Sequence, residues 1–268
     1  MNRYAAMFDR LRERSEGAFG AFVMLGDPGL SDSAVLLDAL VEGGADMIEV
    51  GIPFSDPVAD GPVIQAAAER ALAQGVTPGD CFALLAEFRN RHADVPVGIL
   101  TYANLVLSPG RPAFYRAAAS AGVDSVLVAD VPLFEAGPFA AAARDAGVAP
   151  VLIAASNTPL GTLQRIAKLG GGYTYCVARA GVTGAGEKVS FDHAEMLATL
   201  RDCDAPPPVF GFGISRPDHV RCALAAGAAG VISGSAIVSL IAAAPENAAP
   251  AVRDFVASMK AATALTTR

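Results

Sequence analysis

Cysteine and histidine are scarce in this sequence, which limits its means of forming disulfides or binding metal ions. Its 268 residues include four cysteines and three histidines, spread along the chain with no C-x-x-C pair and no histidine at ligand spacing. They are Cys81, Cys176, Cys203 and Cys222, and His92, His193 and His219. This dispersion predicts reduced structural thiols and no bound metal.

Positive charge and long apolar runs are scarce as well. The net charge is −7, and no cluster of Lys and Arg could neutralise a run of phosphates, which argues against nucleic acid as a partner. Residues 1–16 carry mixed charges without the apolar core of a secretory signal. The most apolar stretch, Ile237 to Ala244, is interrupted by Ser239 and is far shorter than the roughly 20 residues of a membrane span. We therefore expect a cytoplasmic protein.

The composition is that of one compact domain. Hydrophobic residues make up 53% and charged residues 18%, and no linker-like stretch divides the chain. Near the start, Arg10, Arg12 and Arg14 alternate with Glu13 and Glu16, a pattern typical of a solvated helix face.

Short apolar runs alternate with helical patterns about eight times. The runs are rich in Val, Ile and aromatic residues, as expected for parallel strands covered on both faces. The predicted strands are Ala18 to Leu25, Met47 to Val50, Val97 to Thr101, Ser125 to Ala129, Pro150 to Ala154, Tyr173 to Val177, Val209 to Phe212 and Gly230 to Ser233. The predicted helices include Asp32 to Glu42, Val63 to Gln74, Pro78 to Arg91, Pro112 to Ala121, Glu135 to Ala146, Pro159 to Lys168, His193 to Asp202 and Pro217 to Ala226.

A recurring phrase marks the junction between helix and strand. Gly-Gly-Ala-Asp at 43–46, Ala-Gly-Val-Asp at 121–124, Ala-Gly-Val-Ala at 146–149 and Ala-Gly-Ala-Ala at 226–229 each place a glycine where a helix should stop. We predict an α/β fold in which residues 1–268 form a single (β/α)8 TIM barrel with an extra N-terminal helix and a short extra helix after strand 8. A doubly wound open sheet is the alternative, but its Gly-rich turn is not matched by residues 26–29.

Glu49 lies between Ile48 and Val50 in a predicted strand. A charged glutamate buried there would cost several kcal/mol, so its pKa should be raised, as a general acid/base requires. The alternative is a strand-end carboxylate open to water.

The loop after Glu49 carries two more carboxylates. Pro53, Pro57 and Pro62 restrict its backbone and so fix Asp56 and Asp60. Asp60 is a second catalytic candidate or, before Gly-Pro, a helix cap. For Asp56, which precedes a proline, a role in a turn is favoured.

Two small-residue turns suit a phosphate group. Gly211-Phe-Gly-Ile-Ser215 follows the seventh predicted strand and Ser233-Gly-Ser-Ala236 follows the eighth. Backbone N–H groups at the start of the next helices would bind a dianion, and barrels often place phosphate here. Ser215 and Ser235 could instead be plain N-caps.

A glycine-rich segment, Arg179 to Lys188, follows the sixth predicted strand and contains Gly181, Thr183 and Gly184. Its glycines predict a mobile lid that closes the site. The alternative is a surface connection without function.

Six blocks carry a family pattern: Ile48 to Pro62, Tyr102-Ala-Asn104, Asp124 to Pro132, Tyr173-Thr-Tyr175 with Arg179 to Gly184, Gly211 to Ser215, and Gly230 to Val238. Together they resemble one family, the alpha subunit of tryptophan synthase, along essentially the whole chain. The resemblance implies retro-aldol cleavage of indole-3-glycerol phosphate to indole and glyceraldehyde 3-phosphate.

The resemblance also implies roles for individual residues. Glu49 is the acid/base, Asp60 holds the indole N–H, and Tyr175 assists near the reacting glycerol carbon. The ring is enclosed by Phe22, Leu100, Leu127, Ile153 and Phe212, with Thr183 also contacting substrate, and the phosphate is held by Gly184, Gly213, Gly234 and Ser235. The alternative for the five apolar side chains is that they simply belong to the core. Roles for Glu187 and Lys188 stay open.

In the family, indole passes to a beta subunit that carries pyridoxal phosphate, within an αββα assembly. The resemblance implies no cofactor in this chain and places Asp56, Asn104 and Pro132 near the partner. An autonomous indole-3-glycerol phosphate lyase and a catalytically idle activating subunit are alternatives. A phosphosugar isomerase barrel is not favoured, because no suitably placed Lys or His base is evident.

Overall fold

The computed structural model describes residues 2–177 and 193–265. Within these ranges, nine parallel strands form a sheet with helices around it. The strands are β1 Ala18–Met24, β2 Met47–Gly51, β3 Val97–Thr101, β4 Ser125–Val128, β5 Ala149–Pro150, β6 Leu152–Ala155, β7 Thr174–Val177, β8 Pro208–Gly211 and β9 Gly230–Ser233.

Twelve α-helices and two short 3-10 helices accompany the strands in the same described ranges. The α-helices are α1 Arg3–Glu13, α2 Leu30–Glu42, α3 Pro62–Ala73, α4 Pro78–Arg91, α5 Ala103–Leu107, α6 Arg111–Ser120, α7 Ala136–Asp145, α8 Leu160–Leu169, α9 Ala194–Asp202, α10 Pro217–Ala225, α11 Ser235–Ala243 and α12 Ala248–Ala261. The 3-10 helices are Leu133–Glu135 and Pro245–Asn247.

The strands form a nearly closed barrel in the order β5-β4-β3-β2-β1-β9-β8-β7-β6. Only Val151 separates β5 from β6, and its backbone N–H donates to the Val126 carbonyl oxygen at 3.0 Å. The fifth predicted strand is therefore present as two pieces, which pair with β4 and β7 respectively. The predicted (β/α)8 barrel is confirmed.

Strand side chains alternate between two apolar layers. Phe19, Val23 and Ile48 pack outward against the helices, whereas Phe22 and Met47 belong to a cluster inside the barrel. This alternation follows from the two-residue period of a strand. Residues 22 and 49 stand side by side in the β1–β2 register, so Glu49 also faces the interior.

The extra N-terminal helix closes the amino-terminal end of the barrel. The Tyr4 hydroxyl is 2.8 Å from Ser125 Oγ at the start of β4, and the Tyr4 ring packs at 5.4 Å from that of Tyr173. Arg12 and Arg14 are exposed, as the charge pattern predicted. The inward face of α1 consists of Tyr4, Met7, Phe8 and Leu11.

Glycines end the helices where the recurring phrase predicted. Gly44, Gly122, Gly147 and Gly227 all have positive φ, between 76° and 104°. Glycine adopts positive φ without the steric penalty that other residues incur. A glycine at each of these positions therefore ends one helix and allows the chain to turn towards the next strand.

The sequence analysis did not identify α5 or α12, whereas α11 is the short extra helix that it predicted. Because α5 has only five residues, it is too short for helical periodicity to reveal. The signal for α12 was present, since Val252, Val256 and Met259 recur at helical spacing and are buried.

In the described part of the chain, no single helix is long and apolar enough to cross a membrane. In these described residues, one pair of consecutive segments, α11 and Pro245–Ala261, is long and apolar enough when the two are taken together, and the pair is bent by 105°.

Candidate active site

Glu49 lies inside the barrel, across from Phe22 of β1 and Gly98 of β3. Its side chain is 3% exposed, and the Tyr173 hydroxyl donates a hydrogen bond to its Oε1 atom at 2.7 Å. Burial raises the pKa of Glu49 to about 7. The hydrogen bond from Tyr173 lowers this pKa, whereas the nearby charge of Asp60 raises it further. The alternative of a strand-end carboxylate open to water is therefore wrong.

The sequence analysis assigned Tyr173 no role of its own, yet it is the direct partner of Glu49. It lies directly before β7, and its side chain packs in the same inner cluster as that of Tyr175, two residues away. Gly98, beside Glu49 in the strand register, leaves room for the hydroxyls of Ser125 and Tyr4, since an added Cβ would lie 2.7 Å and 3.0 Å from their oxygen atoms. The two-residue spacing of the tyrosines was the available signal.

Asp60 is held in the loop between β2 and α3, with 8% of its surface exposed. Its backbone N–H donates to the Pro57 carbonyl at 3.0 Å, and its carbonyl accepts from Gln65 Nε2 at 2.7 Å. Burial raises the pKa of the Asp60 carboxyl group, and hydrogen bonding with Tyr102 lowers it. Both candidate catalytic carboxylates are thus withdrawn from water and close enough to influence each other.

The alternative that Asp60 caps a helix is wrong. Helix α3 begins at Pro62, its N-cap is Gly61, and no side chain caps it. Proline at the first position needs no partner for an N–H group, so the helix can start without the aspartate. The Asp60 carboxyl group remains available to the barrel mouth.

Tyr175 fills the space over Gly211, where an added Cβ would collide with its ring. Its ring meets Phe212 edge-on, with centroids 6.0 Å apart. Phe212 has a φ of 71°, a conformation that bulky residues rarely adopt outside functional sites. Burial raises the pKa of Tyr175, and the charges of Glu49 and Asp60 raise it further, so the phenol stays protonated.

The predicted apolar wall lines the same interior. Phe22, Leu127, Leu100 and Phe212 belong to or pack on the inner cluster. Ile153 lies on β6 beside Tyr175 in the strand register and is 39% exposed, at the open end of the barrel.

The glycine turns after β8 and β9 also face this end. Gly213 is exposed and has a φ of 75°. Gly234 is the N-cap of α11, and a Cβ added to it would lie 3.4 Å from Phe22. The first N–H groups of α11, starting with Ser235, have no acceptor within the helix and are therefore suited to an anion.

The alternative that the two serines are N-caps is wrong. Helix α10 begins at Pro217 with Arg216 as N-cap, so Ser215 lies outside it. Ser235 is the first residue of α11 and follows the N-cap.

The three residues assigned to the partner are exposed on neighbouring loops. Asp56 follows β2, Asn104 lies in α5 after β3, and Pro132 follows β4. Asp56 also lies in a turn, since its carbonyl oxygen accepts from Val58 N at 3.0 Å.

Several predicted positions lie outside the described residues. They are Arg179, Gly181, Thr183 and Gly184, together with Glu187 and Lys188. Among the residues that are described, no group of three or more His, Cys, Asp or Glu side chains could hold a metal ion.

The sequence matches the family model described as tryptophan synthase alpha chain over residues 8–266. The tryptophan synthase alpha chain of Shewanella amazonensis is 53% identical over 266 residues, which cover 98% of this chain and 100% of that protein. The alpha chain of Escherichia coli is 52% identical, with 98% of this chain and 99% of the relative covered.

Solved structures agree with the sequence relatives. Tryptophan synthase subunit alpha from Legionella pneumophila gives a TM-score of 0.86 at 29% identity, covering 98% of each chain. A chain of the tryptophan synthase complex from Pyrococcus furiosus gives 0.83 at 34% identity, covering 91% of this chain and 98% of that one. This chain therefore belongs to the tryptophan synthase alpha chain family.

Proposed function

We propose that this chain cleaves indole-3-glycerol phosphate by a retro-aldol reaction that yields indole and glyceraldehyde 3-phosphate. The main support is the buried Glu49 carboxyl group, whose pKa is about 7, beside Asp60 at the open end of the barrel. Family membership supports the same reaction.

Glu49 supplies the proton transfers. Cleavage adds a proton to indole C3 and removes one from the glycerol hydroxyl next to the bond that breaks, so no net proton is consumed. A carboxyl group with a pKa of about 7 is populated in both protonation states at neutral pH. Glu49 is therefore suited to act first as an acid and then as a base.

Asp60 stabilises the charge that C3 protonation creates. The positive charge spreads to the ring nitrogen, whose N–H group donates to the Asp60 carboxylate in this proposal. Asp60 lies in the loop fixed by Pro57 and Gln65, so the carboxylate is in place before the charge develops.

The remaining residues hold the two ends of the substrate. Phe22, Leu100, Leu127 and Phe212 offer an apolar slot for the indole ring, and Tyr175 is a neutral hydroxyl near the glycerol carbons. Gly213, Gly234 and Ser235 bind the phosphate through backbone N–H groups. In this proposal Thr183 also contacts the substrate and Gly184 also binds the phosphate.

A beta subunit receives the indole, in an αββα assembly. The loops that carry Asp56, Asn104 and Pro132 also expose large apolar side chains, notably Val58 at 74% and Phe134 at 71%. Exposed apolar residues grouped on neighbouring loops are typical of interaction surfaces. Pyridoxal phosphate belongs to that partner, and this chain needs no cofactor for its own step.

We further propose that residues 1–268 form one domain and that the protein is cytoplasmic. All four cysteines are free, and Cys81 and Cys176 are buried, which fits a reducing compartment.

The proposal is tested by measuring indole release from indole-3-glycerol phosphate with the chain alone and with a beta subunit. The variant Glu49→Gln should fold and bind the phosphate ligand but lose cleavage. Glu42→Gln makes the same chemical change on the surface of α2 and should behave like the unmodified chain. Cleavage by Glu49→Gln at the rate of the unmodified chain would refute the assignment of Glu49 as the acid/base.

The same assay separates the alternatives. Strong activation by the beta subunit supports the synthase role, whereas full activity without it identifies an autonomous lyase. Absence of cleavage under both conditions identifies an idle activating subunit.

A further inference from the structure

Tyr102 lies directly after β3 and directly before α5. It is 2% exposed, and the sequence analysis gave it no role beyond the family resemblance. Its hydroxyl, its ring and the backbone of the next residue each contact a different loop.

The hydroxyl is adjacent to Asp60. It accepts a hydrogen bond from the backbone N–H of Ala59 at 3.2 Å. A phenol has one proton and two lone pairs, so the bond from Ala59 leaves the proton free to be donated. The hydrogen bond between this hydroxyl and Asp60 lowers the pKa of that carboxyl group against the effect of burial.

The ring and the backbone hold the hydroxyl in position. The Tyr102 ring stacks on Phe54 of the loop that carries Asp60, with centroids 5.3 Å apart and an interplanar angle of 28°. The next residue, Ala103, donates its backbone N–H to Asp130 Oδ1 at 2.8 Å. Tyr102 is therefore fixed to the loops after β2 and β4 at once.

We propose that Tyr102 is a positioning residue that holds the loop carrying Asp60, and with it the Asp60 carboxylate, in place for the cleavage reaction. This inference rests on the proposed function, because it gives Tyr102 its role through Asp60. The residue is not assigned contact with the reacting atoms.

The test compares Tyr102→Phe with the unmodified chain, at saturating beta subunit, by kcat, KM and the pH dependence of indole release. The variant keeps the ring that stacks on Phe54 and loses only the hydroxyl. Loss of a hydrogen bond to a charged group is worth about tenfold or more. We expect kcat to fall about tenfold, KM to change little, and the acid limb due to Asp60 to move upward by about one pH unit, because Asp60 must be ionised.

The matched control is Tyr115→Phe, which removes a buried hydroxyl from α6 in the outer layer of the barrel. It should leave kcat and the pH profile unchanged. If Tyr102→Phe behaves like this control, or if its acid limb moves downward, the inference is overturned. Circular dichroism and urea unfolding check that both variants fold. Should Tyr102→Phe not fold, Phe54→Leu takes its place, with the same direction of change expected and an unchanged kcat and pH profile overturning the inference.

Failure of this inference is distinguishable from failure of the proposed function. If the unmodified chain releases no indole with the beta subunit, the proposed function fails. If the unmodified chain is active, Asp60→Asn is impaired and Tyr102→Phe is normal, the role of Tyr102 alone is refuted.

Discussion

Replacing Glu49 by glutamine should make the protein more stable at alkaline pH, although it removes the proposed acid/base. Glu49 is 3% exposed, and its Oε1 atom accepts a hydrogen bond from Tyr173. Ionising a carboxyl group in that place is unfavourable, whereas a neutral glutamine can still accept from the tyrosine.

The size of the effect follows from the pKa of Glu49, which burial raises from its ordinary value of 4.5 to about 7. Because the folded state holds this proton more tightly than the unfolded state, stability is greatest below pH 4.5 and falls as the pH rises towards 7. Each pH unit of that interval costs about 1.4 kcal/mol, so ionised Glu49 lowers the free energy of unfolding by about 3 kcal/mol above pH 7.

Urea unfolding of the unmodified chain and of Glu49→Gln measures this directly, at pH 5 and at pH 8.5. The variant should exceed the unmodified chain by about 1 kcal/mol or less at pH 5 and by about 3 kcal/mol at pH 8.5. Glu42→Gln, on the exposed surface of α2, should show no such pH-dependent difference. Equal free energies of unfolding for Glu49→Gln and the unmodified chain at pH 8.5 would refute the reasoning.

Three further predictions concern the same site and its surface. Tyr173→Phe should raise the pKa of Glu49 above about 7 and move the corresponding limb of the kcat/KM profile upward by about one pH unit; a downward shift would contradict this. Gly211→Ala should displace the Tyr175 ring and lower kcat by about tenfold or more in the indole-release assay. Phe134→Asp should weaken beta-subunit binding by about tenfold, measured by titration, without changing cleavage by the isolated chain.

The barrel could be predicted from the sequence because its signals are local. Each apolar run and each helix-ending glycine can be recognised within about ten residues, and the repetition of the unit then determines the architecture. The split at Val151 could not be foreseen, because it depends on how β5 and β6 pair with different neighbours.

Candidate site residues were predictable where the local sequence was anomalous. Glu49 stands out as a charge within an apolar strand, and the structure places it in the buried interior. Its partner Tyr173 does not stand out, because the two residues are 124 positions apart and meet only across the barrel. Tyr102 was assigned no role of its own for the same reason, since its closeness to the Asp60 loop depends on how that loop folds back after β2.

Local reasoning failed at helix starts. Asp60 before Gly-Pro had the composition of a cap, but the helix begins at Pro62 without one. Capping preferences describe averages over many helices, and a proline start needs fewer capping bonds than most. The Asp60 carboxyl group does not cap the helix and instead forms a hydrogen bond with Tyr102.

The interior of this barrel shows why activity and stability should oppose each other at one residue. Gly98 has no side chain where the hydroxyls of Tyr4, Ser125 and Tyr173 gather, so polar groups replace part of an apolar layer. The hydroxyl groups are hydrogen-bonded, and such groups are tolerated in a core. The unfavourable free energy is therefore concentrated in the ionised carboxylate of Glu49, the group whose raised pKa the proposed chemistry requires. A substitution that relieves this cost must also remove the acid/base, so a gain in stability and a loss of cleavage are expected from the same change.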